Sequence, residues 1–249
     1  MPARRSSEPT PRRRSTASQR QRVARILDIL EATHPEAKCA LNYKTPFQLV
    51  AATILSAQCT DERVNLVTPE LFRRFPTAGA LAVAPVAEIE SLIRSTGFFR
   101  AKTRSLLGCA QALVAQHDGQ VPKDMASMVK LPGVGRKTAN VVLGHAYNIA
   151  EGIAVDTHVL RVANRLGIVS GDDPVQVESQ LMALVPRERW TRTTDLLIFH
   201  GRKICDARRP RCGECPVFAL CRWPSRQAVA LQARPAAPPL RRPAARRRA

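Results

Sequence analysis

Four cysteines, Cys205, Cys212, Cys215 and Cys221, stand within seventeen residues, spaced C-x6-C-x2-C-x5-C. Thiols crowded this closely call for a common partner. They can supply the tetrahedral shell of Zn²⁺ or the four corners of a [4Fe–4S] cube. Zinc ribbons usually pair two C-x2-C knuckles, and only one is present here. The uneven 6-2-5 spacing suits a cluster better. The other three of the seven cysteines, Cys39, Cys59 and Cys109, are scattered on apolar stretches. In an intracellular chain this usage points to a metal site before disulfides. Between the first two clustered cysteines lie Arg208, Arg209 and Arg211. On a loop closed by ligation they would hold charge at a fixed position, suited to backbone phosphate. The plainer alternative is a solvated basic loop.

A second feature is Leu131-Pro132-Gly133-Val134-Gly135-Arg136-Lys137-Thr138-Ala139-Asn140-Val141-Val142, a tight turn feeding a helix. Gly133 and Gly135 tolerate positive φ and let backbone approach a ligand. Unpaired N–H groups at a helix start suit an anion, and Arg136 and Lys137 add charge to that turn. The loop therefore reads either as a grip on a DNA phosphate or as a structural turn with an exposed basic pair. Lys137 has a further use if it is neutral, because an uncharged amine is a nucleophile. With an ordinary pKa of about 10.4, roughly one lysine in a thousand is neutral near pH 7.4. A helix start, partial burial and a neighbouring arginine all disfavour an ammonium. Asp156 precedes Thr157-His158 and an apolar helix. It reads as an N-cap, and alternatively as a proton acceptor or a stabiliser of positive charge on a sugar.

Charge sets the partner class. The net charge of +19 concentrates in the ends: residues 1–22 carry +6 and residues 224–249 carry +7, leaving +6 between them. Both distributions fit nucleic acid, because arginine near phosphate displaces counterions. The tails are otherwise solvated, biased sequence expected to be disordered. No run of eighteen apolar residues occurs, so no membrane span is expected. The N-terminus lacks the apolar core of a secretion signal. Its Arg- and Ser-rich start is compatible with a transit peptide, against which its prolines and lack of an apolar face argue, so organellar targeting stays open.

Periodicity is almost entirely helical. Val23, Ile26, Leu27 and Leu30 share one face. Thr45-Pro46-Phe47-Gln48 combines an N-cap, a proline at the first helical position and a capping-box glutamine. Asp61 is a candidate cap for the next helix. Short helical patterns follow, punctuated by Pro69, Pro76 and Pro85. A helix is expected over about 100–116, another from Thr138 to about His145, one opened by Asp156 and closed by Gly167, one from Asp173-Pro174, and a last from Thr194 to His200. Ile153-Ala154-Val155 is a short extended run. An all-α fold follows, with aliphatic side chains filling the core because aromatics are only 4%. The histidines show no ligand or dyad spacing.

Together these motifs resemble the endonuclease III family, the iron–sulfur, bifunctional DNA glycosylases of the helix-hairpin-helix superfamily. The resemblance covers about residues 23–223 and rests on Leu131–Val142, on Val155-Asp156-Thr157-His158, on the four clustered cysteines and on Ser56-Ala57-Gln58-Cys59-Thr60-Asp61. It implies two helical lobes flanking a DNA-binding cleft: a six-helix domain over 39–149, and a cluster domain joining 23–38 to 150–223. It implies a [4Fe–4S] cluster on Cys205, Cys212, Cys215 and Cys221. Lys137 would attack C1′ of a damaged nucleotide, with Asp156 assisting. Gln58 would plug the duplex, and the second inserting position falls at Phe98, where the family commonly has leucine. Gly133, Gly135 and Arg136 would hold phosphate. The expected partner is damaged double-stranded DNA, the expected substrate an oxidised pyrimidine, and the expected state a monomer in the cytoplasm. The competing readings are an adenine-type glycosylase of the same superfamily, which lacks the lysine and normally adds a C-terminal domain, and a non-catalytic iron–sulfur DNA-binding protein.

Overall fold

A computed structural model describes residues 16–232. The described residues form twelve α-helices and no strand. They are α1 (Thr16–Thr33), α2 (Pro46–Leu55), α3 (Asp61–Arg74), α4 (Ala78–Ala82), α5 (Val86–Ile93), α6 (Phe99–His117), α7 (Met125–Met128), α8 (Arg136–Tyr147), α9 (Thr157–Leu166), α10 (Pro174–Leu184), α11 (Trp190–Lys203) and α12 (Arg226–Gln232). The run 153–155 is extended but pairs with nothing as a strand.

Two apolar clusters organise them. The first draws on residues between Leu41 and Val134 plus Ala139, Val142 and Leu143. The second joins Val23, Ile26, Leu27, Leu30 and Ala37 to residues between Ile153 and Val217. The chain thus starts in the second core, builds the first, and returns. Helix α2 is the centre of the first core: every residue from Leu49 to Leu55 is buried. Thr45 caps it by accepting from the Gln48 N–H at 3.2 Å. The Gln48 carboxamide oxygen reaches back to the Lys44 N–H at 2.8 Å. Both orphan donors at that helix start are therefore satisfied.

Several expectations need correction. Pro69 does not end a helix but sits inside α3. Proline in a helix interior forfeits one hydrogen bond. Burial of Val64, Thr68 and Leu71 on the same helix offsets that loss. Thr60, not Asp61, caps α3, accepting from the Arg63 N–H at 3.3 Å. Asp61 instead pairs with Arg202 of α11 at 2.6 Å. The basic ends are shorter than expected. Residues 16–22 are helical because Arg22 donates to the carbonyls of Leu166 and Leu220, each at 2.9 Å, and to that of Gly167. At the other end α12 packs on the turn at Cys212–Glu214. The rest of both expected tails lies outside the described residues.

Candidate active site and cluster site

The hairpin is Leu131 to Gly135, between α7 and α8. Gly133 has φ +78, and a Cβ there would stand 2.7 Å from the Ser105 Cβ. Both facts require glycine. Gly135 differs from expectation: its backbone is extended, at φ −89 and ψ 175, and it is the N-cap of α8. It has open space around it. No side chain caps this helix start, so the first N–H groups of α8 are left for an outside anion.

Lys137 lies in that first turn. The sequence led us to expect partial burial, but the side chain is exposed. It opens onto a cleft between the two cores. One cavity there, of about 320 Å³, is lined by Lys137, Asp156, His145 and Asp195 among others. That is the small end of the usual range for ligand pockets, about 300–1,000 Å³. A second, more open depression brings Lys137 and Asp156 together with Gln58, His158 and Arg202. Residues 58 and 156 come from separate loops and residue 137 from the first turn of α8, and the fold brings all three to one depression.

Asp156 is the N-cap that its place before an apolar helix suggested. Its Oδ1 accepts from the Val159 N–H at 2.8 Å and caps α9. The cap fixes the carboxylate where it lines the cleft opposite the start of α8. Next to it, burial lowers the His158 pKa, with Asp156 opposing and Arg161 reinforcing the shift.

Gln58 and Phe98 stand on different loops but share one conformation: both are left-handed, at φ 51 and φ 46. That region is uncommon for side chains of this size. Phe98 is 68% exposed, and unlike Gln58 it lines neither depression. Phe99 packs against the first core instead.

The arginines divide. Arg208 and Arg209 are exposed, and their backbone N–H groups both donate to Asp206 Oδ1 at 2.9 Å. Arg211 is exposed as well, but its guanidinium is engaged, by Glu214 at 3.2 Å and by the Lys203 carbonyl. Arg136 pairs through Nε with Glu178 of α10 at 2.8 Å. Glu178 is 6% exposed and also accepts from Asn140 at 2.8 Å. This acid, from the second core, therefore compensates the charge of Arg136 and clamps the first turn of α8. Sequence reading missed it, as it missed the pair of His145 and Asp195 at 3.3 Å, which joins α8 to α11. A signal existed for Glu178: it falls three residues before Leu181, on the buried stripe of α10.

Cys205, Cys212, Cys215 and Cys221 surround a common pocket together with Arg165, His200, Trp223 and Arg226. Burial raises the Cys215 thiol to about 12 and also raises Cys212 and Cys221, and neighbouring thiolates add to each shift. Four thiolates here need the positive charge of a metal. Among the described residues no three His, Cys, Asp or Glu side chains converge closely enough to share one ion. The surroundings also supply donors. Arg165 approaches Cys205 Sγ at 3.6 Å, and His200 Nε2 approaches Cys215 Sγ at 3.6 Å.

Residues 51–187 match the family model of the HhH-GPD superfamily base excision DNA repair proteins. Residues 205–221, bounded by the first and last clustered cysteines, match the iron–sulfur binding domain of endonuclease III. The chain is 53% identical over 215 residues to endonuclease III of Synechocystis sp., covering 86% of this chain and 97% of the relative.

The chain belongs to the endonuclease III family.

It is a base-excision-repair DNA glycosylase with AP lyase activity that carries a [4Fe–4S] cluster. Two solved endonuclease III structures superpose on it, each with a TM-score of 0.78, 43% identity, and coverage of 82% of this chain and 95% of the other. One is a non-covalent complex with DNA and the other a trapped covalent intermediate with DNA. The endonuclease III fold thus accounts for the all-helical architecture and for the cleft between the cores.

Proposed function

We propose that this endonuclease III removes oxidised pyrimidines from duplex DNA, with Lys137 as nucleophile and Asp156 as its partner. The observation that carries this is the convergence of Lys137, in the first turn of α8, and Asp156, the cap of α9, on the same two depressions between the cores. The neutral Lys137 amine attacks C1′, and the C1′–N bond breaks with its electron pair leaving on the base. Loss of the amine proton and opening of the sugar ring give a protonated Schiff base between Nζ and C1′. Removal of a C2′ proton then expels the 3′ phosphate by β-elimination and cuts the strand. Asp156 is held by its cap where a carboxylate can stabilise the charge developing on the sugar, or accept a proton.

DNA is held on both sides of the cleft. The free N–H groups at the start of α8 take a phosphate, with Gly133 giving the backbone its close approach. Arg208 and Arg209 offer exposed charge from the cysteine loop, while Arg136 and Arg211 chiefly hold the protein together. Gln58 and Phe98 enter the duplex where the damaged nucleotide leaves it. Phe98 can stack between bases as an apolar wedge. The division into a domain over 39–149 and a cluster domain of 23–38 with 150–223 follows the two cores. The four clustered cysteines hold the [4Fe–4S] cluster, whose chemistry here is structural closure of the loop. The enzyme acts as a monomer, in the cytoplasm.

The test is Lys137→Ala. We expect strand cleavage at an oxidised pyrimidine to be abolished while duplex affinity stays within a few-fold of wild type. Equal loss of both would reduce Lys137 to a phosphate contact and defeat the assignment.

A further inference from the structure

Lys102 is the one lysine buried to 4% exposure, and the mechanism above does not use it. Lysines are almost never fully buried unless paired. Yet among the described residues no carboxylate pairs with Lys102; its ammonium donates to the Thr96 carbonyl at 2.7 Å. Burial lowers its pKa, and the one group opposing that shift is Cys59, the residue after Gln58. The Lys102 backbone N–H donates to the Phe98 carbonyl at 3.1 Å. The residue therefore grips the 96–98 loop at two points, through its ammonium and through its backbone. That 96–98 loop is unusual. Gly97 and Phe98 are consecutive residues at positive φ, 71 and 46. Thr96 adds a further tie, its hydroxyl donating to the Ile93 carbonyl at 2.8 Å. Uncommon backbone conformations persist only where the surroundings over-determine them.

We propose that Lys102 is a positioning residue for strand insertion, its buried ammonium tying down the loop that presents Phe98. This rests on the reading of Gln58 and Phe98 as the residues that enter the duplex. A buried ammonium spends its hydrogen bonds where no water competes, so the carbonyl it holds is fixed more firmly than a solvated one. The Phe98 wedge then meets DNA already shaped, and the cost of ordering it is not taken from binding.

The experiment compares Lys102→Met, Phe98→Ala and wild type under single-turnover conditions on two DNAs. One is a duplex with a base-paired thymine glycol, which must be flipped. The other is a single strand with a preformed abasic site, which needs no flipping. The readout is the ratio of the two rates. We expect Lys102→Met to lower that ratio by about tenfold to a hundredfold, the scale of a small misplacement of a positioned group, in the same direction as Phe98→Ala. Amide hydrogen exchange should rise at 96–98 while the first core stays protected. A Lys102→Met ratio equal to wild type, beside a lowered ratio in Phe98→Ala, would overturn the proposal. So would equal slowing on both DNAs with exchange raised throughout the first core, which would make Lys102 a fold residue. A wild-type ratio in Phe98→Ala would instead remove the wedge reading itself.

Discussion

The hairpin and the cysteine loop both carry exposed backbone and charge, but they are held by opposite means. The hairpin sits on a packed apolar core. Leu131 and Val134 are buried on either side of Gly133, and Ser105 and Ile54 stand beneath that glycine. The cysteine loop has little core of its own. Its carbonyls are taken by arginines instead: Arg161 donates to Gly201 at 3.0 Å and to Cys205, and Arg165 to Asp206 at 2.6 Å and to Ala207 at 2.8 Å. Arg22 reaches across to Leu220. Backbone carbonyls without a helix or sheet partner need some such donor. One region is shaped by burial and needs no cofactor. The other is shaped by polar ties around four thiols, and its closure depends on what the thiols bind.

The largest expected effect strikes the second region alone. Cys215→Ser removes one corner of the cluster, and metal binding here is folding free energy. The visible absorbance should be lost and limited proteolysis should cut within 204–225, while the fragment containing α2 to α8 survives. Cleavage spread evenly over the chain would show that the two regions are not independent. Leu49→Ala is the converse. Leu49 is fully buried in the centre of the first core, and truncation should cost about 2–5 kcal/mol in a thermal or denaturant melt. The iron-to-protein ratio should be unchanged at a temperature where the variant is folded. Loss of iron would again couple the regions. The smallest and sharpest test lies within the hairpin. Gly133→Ala meets both a positive φ and the Ser105 side chain. It should cost about 1–3 kcal/mol and weaken duplex binding in a titration. Gly135→Ala meets open space at negative φ and should stay within about 0.5 kcal/mol of wild type. Equal effects would mean that the hairpin is not fixed by packing.

Much of the fold could be read from the chain because its signals are local. The Thr45 cap, the Gly167 stop and the apolar stripes of α1, α9 and α10 lie within a turn or two of the residues they govern. The family resemblance supplied the pairing of Lys137 with Asp156, which no periodicity contains. What could not be read is tertiary. Nothing near Pro69 says that its helix continues, because the compensation is burial on the opposite side of the turn. Nothing beside Arg136 announces Glu178, which arrives from the other core. The expected tails were too long for the same reason, since the carbonyls that order residues 16–22 belong to α9 and the cysteine segment. Gly135 was given the conformational role that only Gly133 plays, since two glycines one residue apart look alike until the backbone is traced.

The most direct measurement is borohydride trapping on a duplex containing thymine glycol, with wild type beside Lys137→Ala. A covalent protein–DNA complex with wild type alone is expected, which establishes the Schiff base and assigns its nitrogen in one gel. A complex that persists in Lys137→Ala, or none with either protein under conditions where both bind the duplex, would contradict Lys137 as the nucleophile and leave Asp156 with its cap alone.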